Sequence, residues 1–173
     1  FAATIRAIRQ KCPQTRIEVL IPDFAGDPVA LDGLLLAGPD VLNHNTETVA
    51  RLYPRLRSRG VYERCLELLA RADRFRVDQG RAMRVKSGLM VGLGETIEEL
   101  DQTFRDLRAV GVEILTLGQY LRPTVRHVPV QRFYTPQEFE DLRSLGLDLG
   151  FTVVESGPLV RSSYHAGRHW TVQ

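Results

Sequence analysis

Two glycines, Gly92 and Gly94, lie in the segment Lys86-Ser-Gly-Leu-Met-Val-Gly-Leu-Gly-Glu-Thr96, between an apolar run and a helix-like stretch. Glycine allows a ligand to approach the backbone closely, and the N–H groups that begin a helix can bind it. Thr96 and Glu99 form a capping box, however, and the acidic residues around them disfavour an added anion. The turn is therefore predicted either to bind the hydroxyls or the amine of a ligand, rather than a pyrophosphate, or to be a tight strand-to-helix connection.

A second polar group, Asn43-His44-Asn45, follows a short apolar run. Because side chains alternate along a strand, two of the three can face the same side. The group is predicted either to hydrogen-bond a polar ligand or to form an Asx-type turn that caps the next helix. His44 shares no ligand spacing with His127, His165 or His169, so we interpret it as a turn residue and expect no zinc site within this chain.

Near the end of the sequence, two adjacent serines, Ser162 and Ser163, lie between Arg161 and Tyr164. A serine nucleophile needs a base such as His165, but no GxSxG segment is present, so a serine hydrolase is not expected. Serine can instead bind iron through its oxygen, as a harder ligand than a cysteine thiolate. The charge of Arg161 could then stabilise the alkoxide.

The composition bounds the class of protein. The 173 residues, of which 43% are hydrophobic, can bury one sizeable core, and the 23 basic and 21 acidic residues are spread evenly, so no nucleic-acid partner is expected. No apolar run is long enough for a membrane span and no signal segment is visible, so no membrane partner is expected. Cys12 and Cys65 form no disulfide or metal pattern; both are predicted to be small buried hydrophobes in a reducing, cytoplasmic compartment.

Short apolar runs alternate with amphipathic stretches, which indicates βα units and a largely parallel sheet. Residues 122–133, with two prolines, are predicted to be a surface loop. The first residues read as a helix without an N-cap or an initiator Met, so the chain is interpreted as a fragment that begins inside an element. Strands are predicted at 16–21, 41–43, 84–91, 114–121 and 151–155, and further helices after Asp27-Pro28, around Tyr62 to Leu69, from Thr96 and from Thr135.

These units suit either a doubly wound sheet or part of a barrel. Polar residues cluster just after strand ends, at 43–47, 92–95 and 119–122, where (β/α) barrels place their active-site loops, and no GxGxxG opens the first unit. The fold class is therefore predicted to be α/β, a partial (β/α) TIM-type barrel formed by residues 1–157, with a tail at 158–173. An open half-barrel leaves an exposed edge strand, so a missing N-terminal part is expected to supply the remaining strands.

Five segments of the sequence resemble the lipoyl synthase family, and they occur in the family's order. They are NHN at 43–45, GLMVGLGET at 88–96, LTLGQYLRPT at 115–124, HVPVQRF at 127–133 and RSSYHA at 161–166. The combination is far more specific than any one of these segments. The resemblance runs from the first residues to about Ala166.

The resemblance implies a radical S-adenosyl-L-methionine fold with two [4Fe-4S] clusters. In the family, a cluster bound by a CxxxCxxC motif cleaves S-adenosylmethionine to a 5′-deoxyadenosyl radical, which abstracts hydrogen from carbons 6 and 8 of an octanoyl group on a lysine of a lipoyl domain. The other cluster, held by a CxxxxCxxxxxC motif and a serine, gives up its sulfurs to the substrate. The implied partners are octanoylated lipoyl domains or the glycine cleavage H protein, and the implied compartment is the cytoplasm, or the mitochondrion in a eukaryote.

Carried over to this sequence, the resemblance assigns the serine ligand to Ser163, with Ser162 as the alternative, and places Arg161 and Tyr164 in its immediate surroundings. It also implies a pocket for S-adenosylmethionine and the substrate. The residues expected in that pocket are Asn43, Asn45, Lys86, Ser87 and Glu95, with Gln119 and Arg122 as weaker candidates at the next strand end.

The six cysteines of the two family motifs are missing from this sequence, since both motifs lie upstream of Phe1 in the family. A single serine cannot hold a four-iron cluster, so this chain alone is expected to be inactive. The protein is also expected to be a monomer. Two other hypotheses remain open. One is a non-catalytic module that binds an acidic carrier protein through scattered arginines, and the other is an ordinary barrel enzyme with a metal-free site.

Overall fold

The computed structural model describes residues 1–57 and 60–168. Its strands are β1 (Glu18–Leu20), β2 (Val41–Asn43), β3 (Arg84–Val91), β4 (Ile114–Gln119) and β5 (Val153–Gly157). Its α-helices are α1 (Ala2–Lys11), α2 (Pro28–Leu36), α3 (Tyr53–Leu56), α4 (Tyr62–Asp78), α5 (Ile97–Ala109) and α6 (Pro136–Asp148). Within the described ranges, no helix has both the length and the apolarity needed to cross a bilayer.

All five strands are parallel, and each pairs with its neighbour in sequence, in the order β1-β2-β3-β4-β5. A doubly wound sheet would reverse this order part-way, whereas sequential right-handed connections keep every helix on the same side of the sheet. The prediction of an α/β partial barrel is therefore confirmed.

Helices α5 and α6 start where the sequence predicted. At α5, the Thr96 side chain accepts from the Glu99 N–H while the Glu99 carboxylate accepts from the Thr96 N–H, which completes the capping box. Thr135 and Glu138 repeat this arrangement at α6, with proline in the first turn. These bonds satisfy N–H groups that a helix end otherwise leaves open, and they are local enough to be read from spacing alone.

The sheet has an outer face that packs on the helices and an inner face that lines the half-barrel. On the outer side, Ser156 Oγ donates to the Phe139 carbonyl of α6 at 2.7 Å. On the inner side, Lys86 Nζ lies 2.8 Å from Oε1 of Glu18, and Asn43 Nδ2 donates to the same oxygen at 3.3 Å. The inner face thus carries a largely buried ion pair between Lys86 and Glu18.

Several predicted details differ from the structure. β1 is shorter than predicted, β5 begins two residues later, and short 3₁₀ turns occupy Phe24–Gly26, Ala50–Leu52 and Ala166–Arg168. Cys65 is buried as expected, but the prediction for Cys12 was wrong because that residue is exposed. The residue that α1 buries is Ile5, in the first half of the helix. Cys12 follows the last turn, where the chain has already left the core.

Candidate functional site

The inner face opens into a cleft of about 330 Å³ at the carboxyl ends of β3 and β4. This is the edge at which (β/α) barrels bind ligands. Parts of four regions meet there: the turn after β2, the ends of β3 and β4, the start of the connection after β4, and the segment after β5. Residues that line the cleft include Asn45, Glu47, Gly88, Met90, Thr116, Gly118, Arg161 and Ser162.

Asn45 lines this cleft and carries a hydrogen-bond acceptor without a partner among the described residues. Its Oδ1 is buried and has no partner within the described chain. Gly88 leaves the space that this side chain needs, since a Cβ there would lie 2.9 Å from Asn45 Oδ1 and 2.5 Å from Thr116 Oγ1. A buried acceptor without a donor costs free energy, so the arrangement suits a ligand that brings a hydroxyl or an amine.

Glu47 is a candidate site residue that the sequence analysis did not single out. Its backbone has φ +71°, a left-handed conformation uncommon outside glycine. Two hydrogen bonds to β3 hold it, from Glu47 N to the Gly88 carbonyl and from Met90 N to the Glu47 carbonyl, both at 2.9 Å. Strained backbone that is held this firmly is typical of functional sites. The spacing of Asn43, Asn45 and Glu47 by two was the available signal.

The Glu47 carboxylate lines the main cleft and two adjoining cavities of about 310 and 260 Å³. Burial raises the pKa of this carboxyl, whereas Arg57 and the Asn45 side chain oppose the shift. Arg57 Nη1 is 3.8 Å from the nearer carboxylate oxygen, so the ion pair is loose. Like Asn45, Glu47 therefore offers acceptor oxygens to a donor in the cleft.

Two predicted pocket residues, Asn43 and Lys86, lie deeper on the inner face and do not line the cleft. Lys86 is fully buried and paired with Glu18. Burial lowers the pKa of the Lys86 ammonium, while the Glu18 and Glu155 carboxylates oppose that shift. These groups form a charged layer below the cleft.

Ser87 lies on the opposite face of β3 from Lys86 and Gly88, as alternation along a strand requires. Its Oγ accepts from Thr46 N at 3.2 Å and is 2.9 Å from Thr46 Oγ1. The structure therefore places Ser87 behind the cleft, where it ties β3 to the turn that carries Asn45.

In the glycine turn after β3, the Glu95 carboxylate accepts hydrogen bonds from the backbone N–H groups of the turn itself. Glu95 Oε1 accepts from Gly92 N at 2.6 Å, and Oε2 accepts from Leu93 N at 2.9 Å. The Tyr134 hydroxyl donates to Oε1 at 2.9 Å. Because Glu95 uses these N–H groups, the geometry favours the tight strand-to-helix connection, and a contact between Glu95 and a cofactor stays a prediction.

The weaker candidates at the end of β4 are also engaged with backbone. Gln119 Nε2 donates to the carbonyls of Val91 and Arg132, each at 3.1 Å, and its Oε1 accepts from Tyr134 N at 3.0 Å. Arg122 Nε donates to the His127 carbonyl at 2.8 Å. Both side chains hold the 122–134 connection in place.

His44 is buried on the outer face with both ring nitrogens in contact. Nδ1 lies 2.9 Å from the Ile21 carbonyl and Nε2 lies 3.2 Å from Cys65 Sγ. A carbonyl only accepts, so Nδ1 carries the hydrogen and Nε2 accepts from the thiol. Burial lowers the pKa of His44, which keeps the ring neutral. Of the Asn-His-Asn group, only Asn45 faces the cleft, and neither interpretation of the sequence anticipated this role for His44.

The segment after β5 brings Arg161 and Ser162 to the cleft, whereas Ser163 is exposed. Val160 is buried against β4, and a Cβ on Gly118 would overlap its carbonyl oxygen. Glycine at this position therefore permits the close approach of the segment. His169 lies outside the described residues.

Comparison with known proteins identifies the family. Residues 1–107 match the Radical SAM superfamily. This chain belongs to the radical SAM superfamily. Membership implies S-adenosylmethionine and an iron–sulfur cluster as cofactors. Membership of this superfamily agrees with the sequential parallel sheet and with the cleft at the carboxyl ends of the strands.

Three similar relatives are bacterial proteins named lipoyl synthase. The sequence identity over 166 residues is 60% for Symbiobacterium thermophilum, 57% for Rubrobacter xylanophilus and 52% for Staphylococcus haemolyticus. Each match covers 96% of this chain but 51%, 50% and 53% of the relative. The chain thus spans about half the length of the lipoyl synthases that it matches.

Two solved structures share the fold at low sequence identity. Methylornithine synthase aligns with a TM-score of 0.59 at 17% identity, covering 90% of this chain and 51% of that one. KGPDC from Streptococcus mutans aligns with a TM-score of 0.53 at 12% identity, covering 95% and 63%. At these identities the likeness supports the barrel architecture alone.

The cleft fits S-adenosylmethionine better than the described residues fit an iron–sulfur cluster. Asn45 and Glu47 offer acceptors, and S-adenosylmethionine carries hydroxyl and amine donors. For a cluster, residues 1–57 and 60–168 contain no group of three or more His, Cys, Asp or Glu that could share a metal. Cys65 Sγ already contacts His44 and Tyr53 at 3.2 Å. The described residues alone therefore do not hold a radical SAM cluster.

Proposed function

We propose that this chain is the second half of the catalytic barrel of a lipoyl synthase, which inserts sulfur at carbons 6 and 8 of a protein-bound octanoyl group. The observation that carries the proposal is the meeting of Asn45, Glu47 and Ser162 in one cleft at the carboxyl edge of the sheet. The 60% identity over 166 residues to a lipoyl synthase supports the same assignment.

S-adenosylmethionine, when bound, supplies the species that removes hydrogen from an unactivated carbon. In the proposed site, Asn45 Oδ1 and the Glu47 carboxylate accept hydrogen bonds from its hydroxyl or amine groups, and Gly88 leaves room for Asn45. Lys86 and Asn43 act from below the cleft by fixing the inner face. Ser87 acts through its bonds to Thr46, and Glu95 by closing the glycine turn.

The serine that serves as a cluster ligand is proposed to come from the RSSYHA segment, with Arg161 beside it. Sequence resemblance assigned this role to Ser163. The position of Ser162 at the cleft and the exposure of Ser163 support Ser162 instead. Either serine would need further iron ligands, which the described residues do not supply.

The proposed cofactors of the whole enzyme are S-adenosylmethionine and two [4Fe-4S] clusters, and this chain alone is proposed to be inactive. The proposed partners are octanoylated lipoyl domains or the glycine cleavage H protein, met in the cytoplasm by a monomeric enzyme. In the alternative, this chain is a non-catalytic module that binds an acidic carrier protein through the scattered arginines of its outer helices.

The test uses a full-length enzyme that contains this sequence, reconstituted anaerobically with iron and sulfide. With S-adenosylmethionine and an octanoylated carrier, we expect lipoylated carrier by mass spectrometry. Asn45→Ala is expected to raise the S-adenosylmethionine KM, while the control Gln137→Ala on exposed α6 is expected to leave it unchanged. Absence of both lipoylated carrier and 5′-deoxyadenosine from correctly loaded enzyme would reject the proposal. Carrier binding without chemistry would favour the module.

A further inference from the structure

After β5, residues 158–166 cross the inner face of the sheet; we call this segment the strap. It is short and irregular, with one turn bond from Tyr164 N to the Arg161 carbonyl at 2.9 Å and another from Ala166 N to the Ser163 carbonyl at 3.3 Å. Such a segment has few backbone bonds to the sheet. Two specific contacts with β4 and β5, one at each end of the strap, fix its position instead.

The first contact anchors the start of the strap on two paired glycines. Gly118 of β4 and Gly157 of β5 are partners in the register of the sheet. The Val160 carbonyl occupies the space where a Gly118 side chain would be, and the Val160 side chain lies 3.4 Å from where a Gly157 Cβ would be. A hydrogen bond from Val160 N to the Gly157 carbonyl, 3.1 Å long, completes this anchor.

The second contact anchors the other end through a histidine. His165 Nδ1 lies 3.4 Å from Oε2 of Glu155 on β5. His165 adopts φ +50°, a left-handed conformation, and its ring lies against that of Tyr164, with 3.9 Å between centroids and 39° between the ring planes. A non-glycine residue keeps this conformation only where its surroundings favour it. Glu155 itself interacts with the buried ammonium of Lys86, so the anchor is tied to the charged layer of the barrel.

Arg161 and Ser162 lie between the two anchors, and both line the cleft. With either end released, the strap would lose the contact that brings these residues over the inner face. We propose that His165 and Glu155 are positioning residues that hold Arg161 and Ser162 at the cleft. The purpose of this positioning rests on the proposed function, but the anchoring itself does not.

Hydrogen exchange followed by mass spectrometry tests the anchor on the 173-residue chain without iron or S-adenosylmethionine. His165→Asn removes the reach to Glu155 while keeping a residue that tolerates left-handed backbone. We expect exchange of the strap amides to become about twofold to fivefold faster, which is the range for losing one partly exposed contact between polar side chains. Peptides of β3 and α5 should be unchanged, and the control His127→Asn in the 122–133 loop should match the parent.

Glu155→Gln should accelerate strap exchange to the same extent, and the double variant should be no faster than either single one, because both remove one contact. His165→Lys, which restores a side-chain donor that can reach Glu155, should recover at least half of the lost protection. Since Glu155 also faces Lys86, the His165 variants remain decisive if Glu155→Gln unfolds. Unchanged strap exchange in His165→Asn, an additive double variant, or equal acceleration in β3 would overturn the proposal. Each of these results leaves the lipoyl synthase assignment intact, whereas an inactive full-length enzyme with a protected strap rejects only that assignment.

Discussion

Replacing Lys86 by Met gives the sharpest stability test of this fold, because Lys86 is fully buried on the central strand. The substitution keeps the length of the side chain but removes the ammonium that lies 2.8 Å from Glu18. Removing one partner of a buried ion pair costs about 3 to 5 kcal/mol, because a charge is left without its counter-charge. The Glu18 side chain is 17% exposed, so water can partly solvate it, and we expect a loss near the lower end, about 3 kcal/mol.

The measurement is urea unfolding followed by circular dichroism at neutral pH. With a denaturant slope of about 2 kcal/mol per molar urea, the midpoint should fall by about 1.5 M. Lys11→Met, at the exposed end of α1, is the matched control and should shift the free energy of unfolding by no more than about 0.5 kcal/mol. In the Lys86→Met background, adding Glu18→Gln should recover part of the loss because it removes the unpaired carboxylate. The reasoning fails if Lys86→Met is as stable as Lys11→Met, or if Glu18→Gln in that background lowers stability further.

Three further predictions concern the turn after β2 and the strap. Burial lowers the pKa of His44 in the folded chain. As the pH falls below about 6.5, the unfolded chain therefore binds a proton at His44 that the folded chain does not bind. In this range the free energy of unfolding should decrease by up to about 1.4 kcal/mol per pH unit. Urea unfolding at pH 7.0 and 5.5 should show this drop, and His44→Gln should show a smaller one. Gly118→Ala should displace the strap at a cost of about 1 to 3 kcal/mol, measured by unfolding and strap exchange, because its Cβ would overlap the Val160 carbonyl. Gly33→Ala, in open space on α2, should instead be neutral or stabilise the chain by up to about 1 kcal/mol, and a loss there equal to that of Gly118→Ala would contradict the packing argument. In the full-length enzyme, Ser162→Ala should perturb one iron–sulfur cluster in Mössbauer spectra more than Ser163→Ala does, and the reverse order would restore the assignment made from sequence.

The sequence by itself determined the features that depend on near neighbours. Both capping boxes, at Thr96 and Thr135, join residues three positions apart, so their spacing predicted where α5 and α6 begin. The alternation of apolar runs and amphipathic stretches predicted a parallel α/β sheet, and the placement of polar groups after strand ends predicted which edge carries the site. These inferences hold because local hydrogen bonds and hydrophobic periodicity act within a few residues.

Tertiary structure alone decided which of the polar residues face the cleft. Lys86 and Ser87 are adjacent in sequence, but the pleat of β3 sends them to opposite faces, and only pairing with β2 and β4 sets which face is inside. The left-handed backbone of Glu47 depends on its bonds to β3, which no local pattern encodes. The choice between Ser162 and Ser163 at the cleft depends on contacts with glycines and a glutamate on distant strands. Such contacts join residues far apart in the chain, so their geometry is fixed only when the sheet has formed.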